Sequence, residues 1–295
     1  MADEAGERPS LFLRVLRHWL VRFIIMFVVM TALYAASQIP LSLARSSLLE
    51  GREWMVVIWE LIPIPILLGV YALLVRGLEQ RSADEIVLPR APGGLVIGTA
   101  VGFALFSAVM AVLVLTRHGT VRVPPVIIVP YIGLALSIVS GVAEELIFRG
   151  AMFRIVEDRF GTLTGLLVSA GFFGLVHIGN PGATVISSIA IALEAGLLLG
   201  LAYTATRALW LPIGLHFAWN FTEGGVFGTE VSGGEIPGML KTTLTGPDFM
   251  TGGSFGPEAS IVAVVVCMSA AAIFLAITLM RGEWKDFTPR TAPRE

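Results

Sequence analysis

The amino-acid sequence predicts an all-α fold: a polytopic transmembrane bundle of about eight helices, with a four-helix catalytic core around a few polar residues. Three observations carry this prediction. Hydrophobic residues make up 55% of the 295-residue chain and charged residues only 14%, and the mean hydropathy is +0.82. A soluble domain carries about 25% charged residues because its surface faces water, so too few charges remain to clothe a globule of this length. Apolar windows of the roughly 17–25 residues needed to cross a bilayer recur along the chain. Finally, ionisable side chains inside those windows are confined to a handful of positions, where each costs free energy unless it faces a cavity.

The windows lie at 20–40, 54–76, 93–116, 125–148, 162–178, 184–205, 209–222 and 258–280. They divide the chain into an N-terminal cytoplasmic segment (1–19), N-terminal helices (20–123), the core (124–222), an extracytoplasmic loop (223–257), and a last helix with a cytoplasmic tail (258–295). The first window has an Arg-rich start and an Ala35-Ala36-Ser37 stretch, as a secretory signal would. Its length and the windows that follow favour a retained helix. In 54–76, Pro63 and Pro65 predict a break, and Glu60 just before them either opens a hydrated pocket or satisfies a freed backbone group. The 209–222 window is short, and Pro212 suits the first turn of a helix. Residues 41–53 mix Leu with Arg and Glu, as an interfacial amphipathic helix would. The Gly- and Thr-rich loop at 223–257 is long enough for a lid, although simple disorder is the favoured reading.

Orientation follows from the bias of Lys and Arg toward cytoplasmic segments. With both termini inside, 15 of the 20 Lys and Arg residues fall in inner segments and 5 in outer ones. This predicts a multi-pass protein of the cell (inner) membrane. A net charge of −2 gives no basic face for nucleic acid. Cys267 has no second cysteine with which to form an intramolecular disulfide and reads as a small residue of the core or the lipid face.

The windows hold Glu60, Glu144, Glu145, His177, Glu194, His216 and the amide Asn220. Glu145 and Arg149 are four apart, one above the other on a helix, and are expected to pair. Glu144 is turned about 100° from Glu145, so the two carboxylates meet different surroundings, one paired and one available for proton transfer. Gly161 predicts a hairpin turn, and Glu144 and His177 stand equally far on either side of it, each about 25 Å along antiparallel helices. A carboxylate and an imidazole are therefore expected level with each other. His216 and Asn220, again four apart, share one face. Glu194 lies beside these helices and is a further candidate for the cavity.

A carboxylate with a histidine can hold and deprotonate a water, and a His–Asn pair can donate hydrogen bonds to an oxyanion. The set suits hydrolysis of an amide or ester. Covalent catalysis is unsupported: no G-x-S-x-G occurs, and Cys267 has no histidine near it in sequence. Glu144, His177 and His216 could instead hold zinc; no cofactor is required on the favoured reading, since H-E-x-x-H is absent and Asn is an unusual zinc ligand. Other classes are a proton-coupled transporter and a catalytically silent membrane scaffold or immunity protein.

The stretch EELIFR at 144–149 resembles the EExxxR motif of the CAAX prenyl protease and bacteriocin-processing (CPBP, or abortive-infection) family. Phe173-x-x-x-His177 resembles its FxxxH motif and His216-x-x-x-Asn220 its HxxxN motif, in the family's order, and the run at 196–220 is also similar. The resemblance implies a CAAX protease-like intramembrane endopeptidase of the glutamate type, acting on a membrane-associated peptide or protein. It implies that Glu144 and His177 activate water and that His216 and Asn220 stabilise the oxyanion, with Glu145, Arg149 and Phe173 in support.

Overall fold

The computed structural model describes residues 15, 18–44, 52 and 54–287. Much of the interfacial helix expected at 41–53 lies outside them. Among the described residues, ten α-helices of seven residues or more organise the chain: α1 (Trp19–Ala44), α2 (Trp54–Leu61), α3 (Pro63–Leu74), α4 (Ala91–Leu115), α5 (Tyr131–Glu144), α6 (Arg154–Val176), α7 (Val185–Ile191), α8 (Leu198–Thr206), α9 (Trp210–Asn220) and α10 (Ile261–Met280). Wide π stretches join α5 to α6 (Glu145–Phe153) and α7 to α8 (Ala192–Leu197), and a third (Phe221–Val226) extends α9.

By length and composition, six helical rods among the described residues can cross a membrane. One of them, Tyr131–Gly179, is folded in two at Gly161, and 210–226 adds a shorter helix. The protein is thus an integral multi-pass helical bundle. The Gly161 hairpin is where the sequence puts it: φ 83° and ψ 166° lie in a region that only glycine enters without strain. The predicted break between α2 and α3 also appears, because Pro63 cannot donate the backbone hydrogen bond that would continue α2. The window at 125–148 starts late. Residues 123–130 are not helical, and Pro124, Pro125 and Pro130 push the residues before them away from helical geometry.

Helix α9 is held by α4 at backbone distance. Gly94, Gly98 and Gly102 form one stripe of α4; a Cβ built on Gly98 would stand 2.2 Å from the Leu211 carbonyl oxygen, and one on Gly102 2.3 Å from that of Leu215. From the other side, Gly214 meets Leu95 in the same way. With lipid as apolar as the side chains, small residues that let helices approach closely are a main source of association. Ile24, Val28, Ile58, Ile66, Leu73, Phe103, Leu167 and Ile273 remain exposed and form part of the lipid-facing surface.

One end of the bundle is tied by ion pairs. Arg154 grips Glu79 with both terminal nitrogens, at 2.5 and 2.6 Å, and Arg81 grips Glu85 at 2.8 and 2.9 Å. The Tyr71 hydroxyl donates to Glu85. Burial pushes the Glu85 carboxyl up, but the hydrogen bonds from Arg81 and the charge of Arg154 outweigh it and hold the carboxyl below its ordinary value. The tail closes over the hairpin, with Thr162 N donating to the Lys285 carbonyl at 2.8 Å and Lys285 N to Thr162 Oγ1 at 2.9 Å. At the other end, strands β1 (Gly119–Arg122) and β2 (Lys241–Leu244) pair antiparallel. The 223–257 loop is folded, fixed by bonds such as Met239 N to Gly225 O at 2.8 Å and Gly233 N to Phe255 O at 2.7 Å.

Two predictions follow from these contacts. Gly98→Leu should lower the thermal unfolding temperature in detergent markedly, since overpacking costs about 1–3 kcal/mol and here it meets backbone; an unchanged melting temperature would refute the close approach. Because the Glu85 carboxyl is depressed on folding, its contribution to stability is present above its ordinary value of 4.5 and is lost as pH falls through the folded value. Glu85→Gln should therefore destabilise the protein at pH 7 and flatten the acid limb of its stability profile, read by unfolding between pH 3 and 7 (a window of roughly this width spans the transition).

Candidate active site

The two adjacent glutamates diverge, as their spacing predicts. Glu144 is the last residue of α5, and Glu145 opens the π stretch, a helical variant that concentrates at functional sites. Glu145 is fully sealed from solvent, and its Oε1 accepts hydrogen bonds from Arg149 Nη1 at 2.8 Å and His216 Nδ1 at 3.0 Å. Glu144 keeps 15% of its side chain exposed. Its Oε1 accepts from the Tyr34 hydroxyl at 3.3 Å, and its Oε2 faces His216 Nε2 at 3.9 Å.

Arg149 is itself completely buried. Its Nη2 donates to the carbonyls of Ala195 at 3.0 Å and Gly196 at 3.1 Å, and its guanidinium lies over the Phe173 ring at 4.6 Å. The sequence reading counted Arg149 among the charges of an inner segment, but its position inside the bundle removes it from that bias. Phe173 also packs against Phe148, His177 and His216, so one ring sets the spacing of two histidines.

His177 ends α6. Its Nδ1 is 2.6 Å from the Phe173 carbonyl oxygen. A carbonyl only accepts, so Nδ1 carries the hydrogen and Nε2 is left as the acceptor of the neutral ring. On α9, His216 Nδ1 donates to Glu145 by the same logic, which points Nε2 toward Glu144. Asn220, one turn further on, donates from Nδ2 to Ser140 Oγ at 3.3 Å.

Glu144, Phe173, His177, His216 and Asn220 line one cavity of about 560 Å³, with Glu145 and Arg149 behind its wall. The equal spacing of Glu144 and His177 about Gly161 thus brings both to the same space. Glu194 lines it too; Glu60 does not, being buried at 1% exposure with no hydrogen-bond partner for Oε2. Cys267 is buried in the core, its thiol 3.6 Å from Glu194 Oε2. Sequence reasoning missed Tyr34, Ser140 and Glu258, which also reach the cavity. Tyr34 is a phenol in an otherwise apolar helix, a signal that could have found it; nothing marked Glu258, at the edge of the last window. Ser232, Glu235 and Ile236 of the 223–257 loop complete the lining.

Among the described residues, no group of three or more His, Cys, Asp or Glu side chains is arranged to hold a metal ion. Arg149→Met would leave Glu145 buried without its cation; breaking such a pair costs about 3–5 kcal/mol. Thermal unfolding should show that loss, with partial recovery in the Glu145→Gln, Arg149→Met double variant.

Part of the chain is similar to known proteins. Residues 125–222 match a family described as type II CAAX prenyl endopeptidase Rce1-like. Over 92 residues the chain is 27% identical to YdiL of Bacillus subtilis (strain 168), a candidate membrane peptidase. That alignment covers 31% of this chain and 35% of the relative. No solved structure matches. The segment that contributes α5, α6 and α9, and with them every site residue singled out from the sequence, is thus similar to the Rce1-like type II CAAX prenyl endopeptidases.

Proposed function

We propose that the protein is an intramembrane endopeptidase of the glutamate type, which hydrolyses a peptide bond of a membrane-associated substrate. The observation that carries this reading is the division between two adjacent glutamates: Glu145 consumed by Arg149 and His216, Glu144 open to the cavity. The family match over 125–222 supports the same reaction.

In this mechanism a water sits between Glu144 and His177. His177 Nε2 accepts one of its hydrogens, and Glu144 removes the other as the water oxygen attacks the scissile carbonyl. Asn220 Nδ2 donates to the developing oxyanion. A second donor at His216 Nε2 needs the doubly protonated ring, because Nδ1 is already committed to Glu145, and Glu144 and Glu145 are its counter-charges. Preorganised donors of this kind are worth several kcal/mol in a water-poor site. When the tetrahedral intermediate collapses, Glu144 returns its proton to the leaving amine, so the carboxylate is regenerated and one water is consumed. We place the protein in the cell membrane with both termini cytoplasmic, following the Lys and Arg bias.

The experiment is cleavage of a membrane-anchored reporter peptide in proteoliposomes. Glu144→Gln, nearly isosteric, should lower the rate by about 10²–10⁴-fold with an unchanged unfolding temperature; wild-type rates in that variant would end the proposal. Chelators should leave the wild-type rate intact, and loss that zinc restores would transfer the chemistry to a metal. Tyr34→Phe removes one hydrogen bond to Glu144, worth about 1 kcal/mol, and should slow turnover about fivefold. A substrate-dependent flux without cleavage in the same liposomes would favour a transporter.

A further inference from the structure

Four of the buried glutamates come with cations. Glu79 and Glu85 have Arg81 and Arg154, Glu145 has Arg149, and Glu157 has Arg207 and Lys285. Four do not have an ion pair among the described residues: Glu60, on α2 and outside the cavity lining, and Glu194, Glu223 and Glu258, which are 2%, 0% and 3% exposed. The last three come from the π stretches after α7 and α9 and from the turn before α10. Both carboxyl oxygens of Glu223 are buried without a hydrogen-bond partner among the described residues. Glu258 is fixed by the backbone N–H of Ser232 at 2.6 Å.

Glu194 and Glu258 open onto the cavity that holds Glu144 and His177. Glu235 adds a carboxylate where the loop closes it, and among the described residues no lysine or arginine lines it. Trp219, one turn before Glu223 on α9, contributes an aromatic wall of the kind that attracts cations. Two facing carboxyls in a dry site share protons when nothing else neutralises them. An ammonium or guanidinium beside them supplies charge-assisted hydrogen bonds to the carboxylates and releases the shared proton to water.

We propose that Glu194 and Glu258, on the cavity wall, form with the buried Glu223 a subsite for a cationic group, a lysine or arginine side chain of the substrate next to the bond that is cut. Its identification as a substrate pocket rests on the peptidase reading; its preference for a cation rests on the charges alone.

The test is equilibrium binding of two probes to the purified full-length protein in nanodiscs: N-acetyl-Leu-Lys-Leu-amide and its norleucine analogue, which keeps the apolar stem and lacks the charge. The lysine peptide should bind about tenfold more tightly. Glu223→Gln with Glu258→Gln should reduce that ratio to near unity while norleucine binding stays the same. Equal binding of the two peptides to the wild type would overturn the subsite, as would a preference that survives in the double variant. Stabilisation by calcium chloride without a lysine preference would also overturn it, in favour of a metal ion. If the double variant fails to fold, Glu194→Gln is read in its place with the same criteria. Binding needs no turnover, so absence of cleavage in the reporter assay would count against the peptidase reading and leave this result standing.

Discussion

The arrangement of the site depends on one buried guanidinium. Arg149 brings a full charge into a bundle from which lipid excludes water, and a charge there persists only if it is paired and hydrogen-bonded. Glu145 supplies the counter-charge, the carbonyls of Ala195 and Gly196 take the remaining donors of one nitrogen, and the Phe173 ring covers the plane. Each of those partners has a second duty. Glu145 orients His216, Phe173 packs against both histidines, and the carbonyls belong to the π stretch that presents Glu194. Satisfying one cation thereby fixes three helices relative to one another, and Glu144 is left facing the space between them.

Much of this was legible in the sequence because polar residues in apolar windows are few and their spacings are short. The i,i+4 rule sufficed for Glu145 with Arg149, and a single glycine marked the turn that sets Glu144 and His177 in the same cavity. The stretch EELIFR could not reveal its π geometry, since a wider turn uses the same residues as an α-helix and differs only in which carbonyl each N–H selects. Tyr34, Ser140 and Glu258 were not found because their roles arise from contacts across more than 75 residues of chain or from a loop with no periodicity. The loop at 223–257 is the largest gap between sequence and structure. Its glycines and threonines look like those of a disordered linker, yet Gly233 and Gly238 are small because backbone passes directly against them.

Three of the helices around the cavity switch to π geometry, and each switch contains a glutamate: Glu145, Glu194 and Glu223. A π turn leaves a backbone carbonyl without its usual donor and widens the helix locally. Both features suit a polar interior in a bilayer, because they turn carbonyls and carboxylates inward while the lipid face stays regular. The Ala195 and Gly196 carbonyls that receive Arg149 are a direct instance.

The glycine stripe on α4 has a consequence for how this architecture can vary. Its residues lie before position 125, outside the stretch that matches the Rce1-like family, yet it is against them that the helix carrying His216 and Asn220 rests. The shared segment is therefore not a portable unit. Any chain that inherits it must also furnish a smooth surface for α9, and exchanging the leading helices between relatives would misplace two of the cavity's polar groups even with every motif intact.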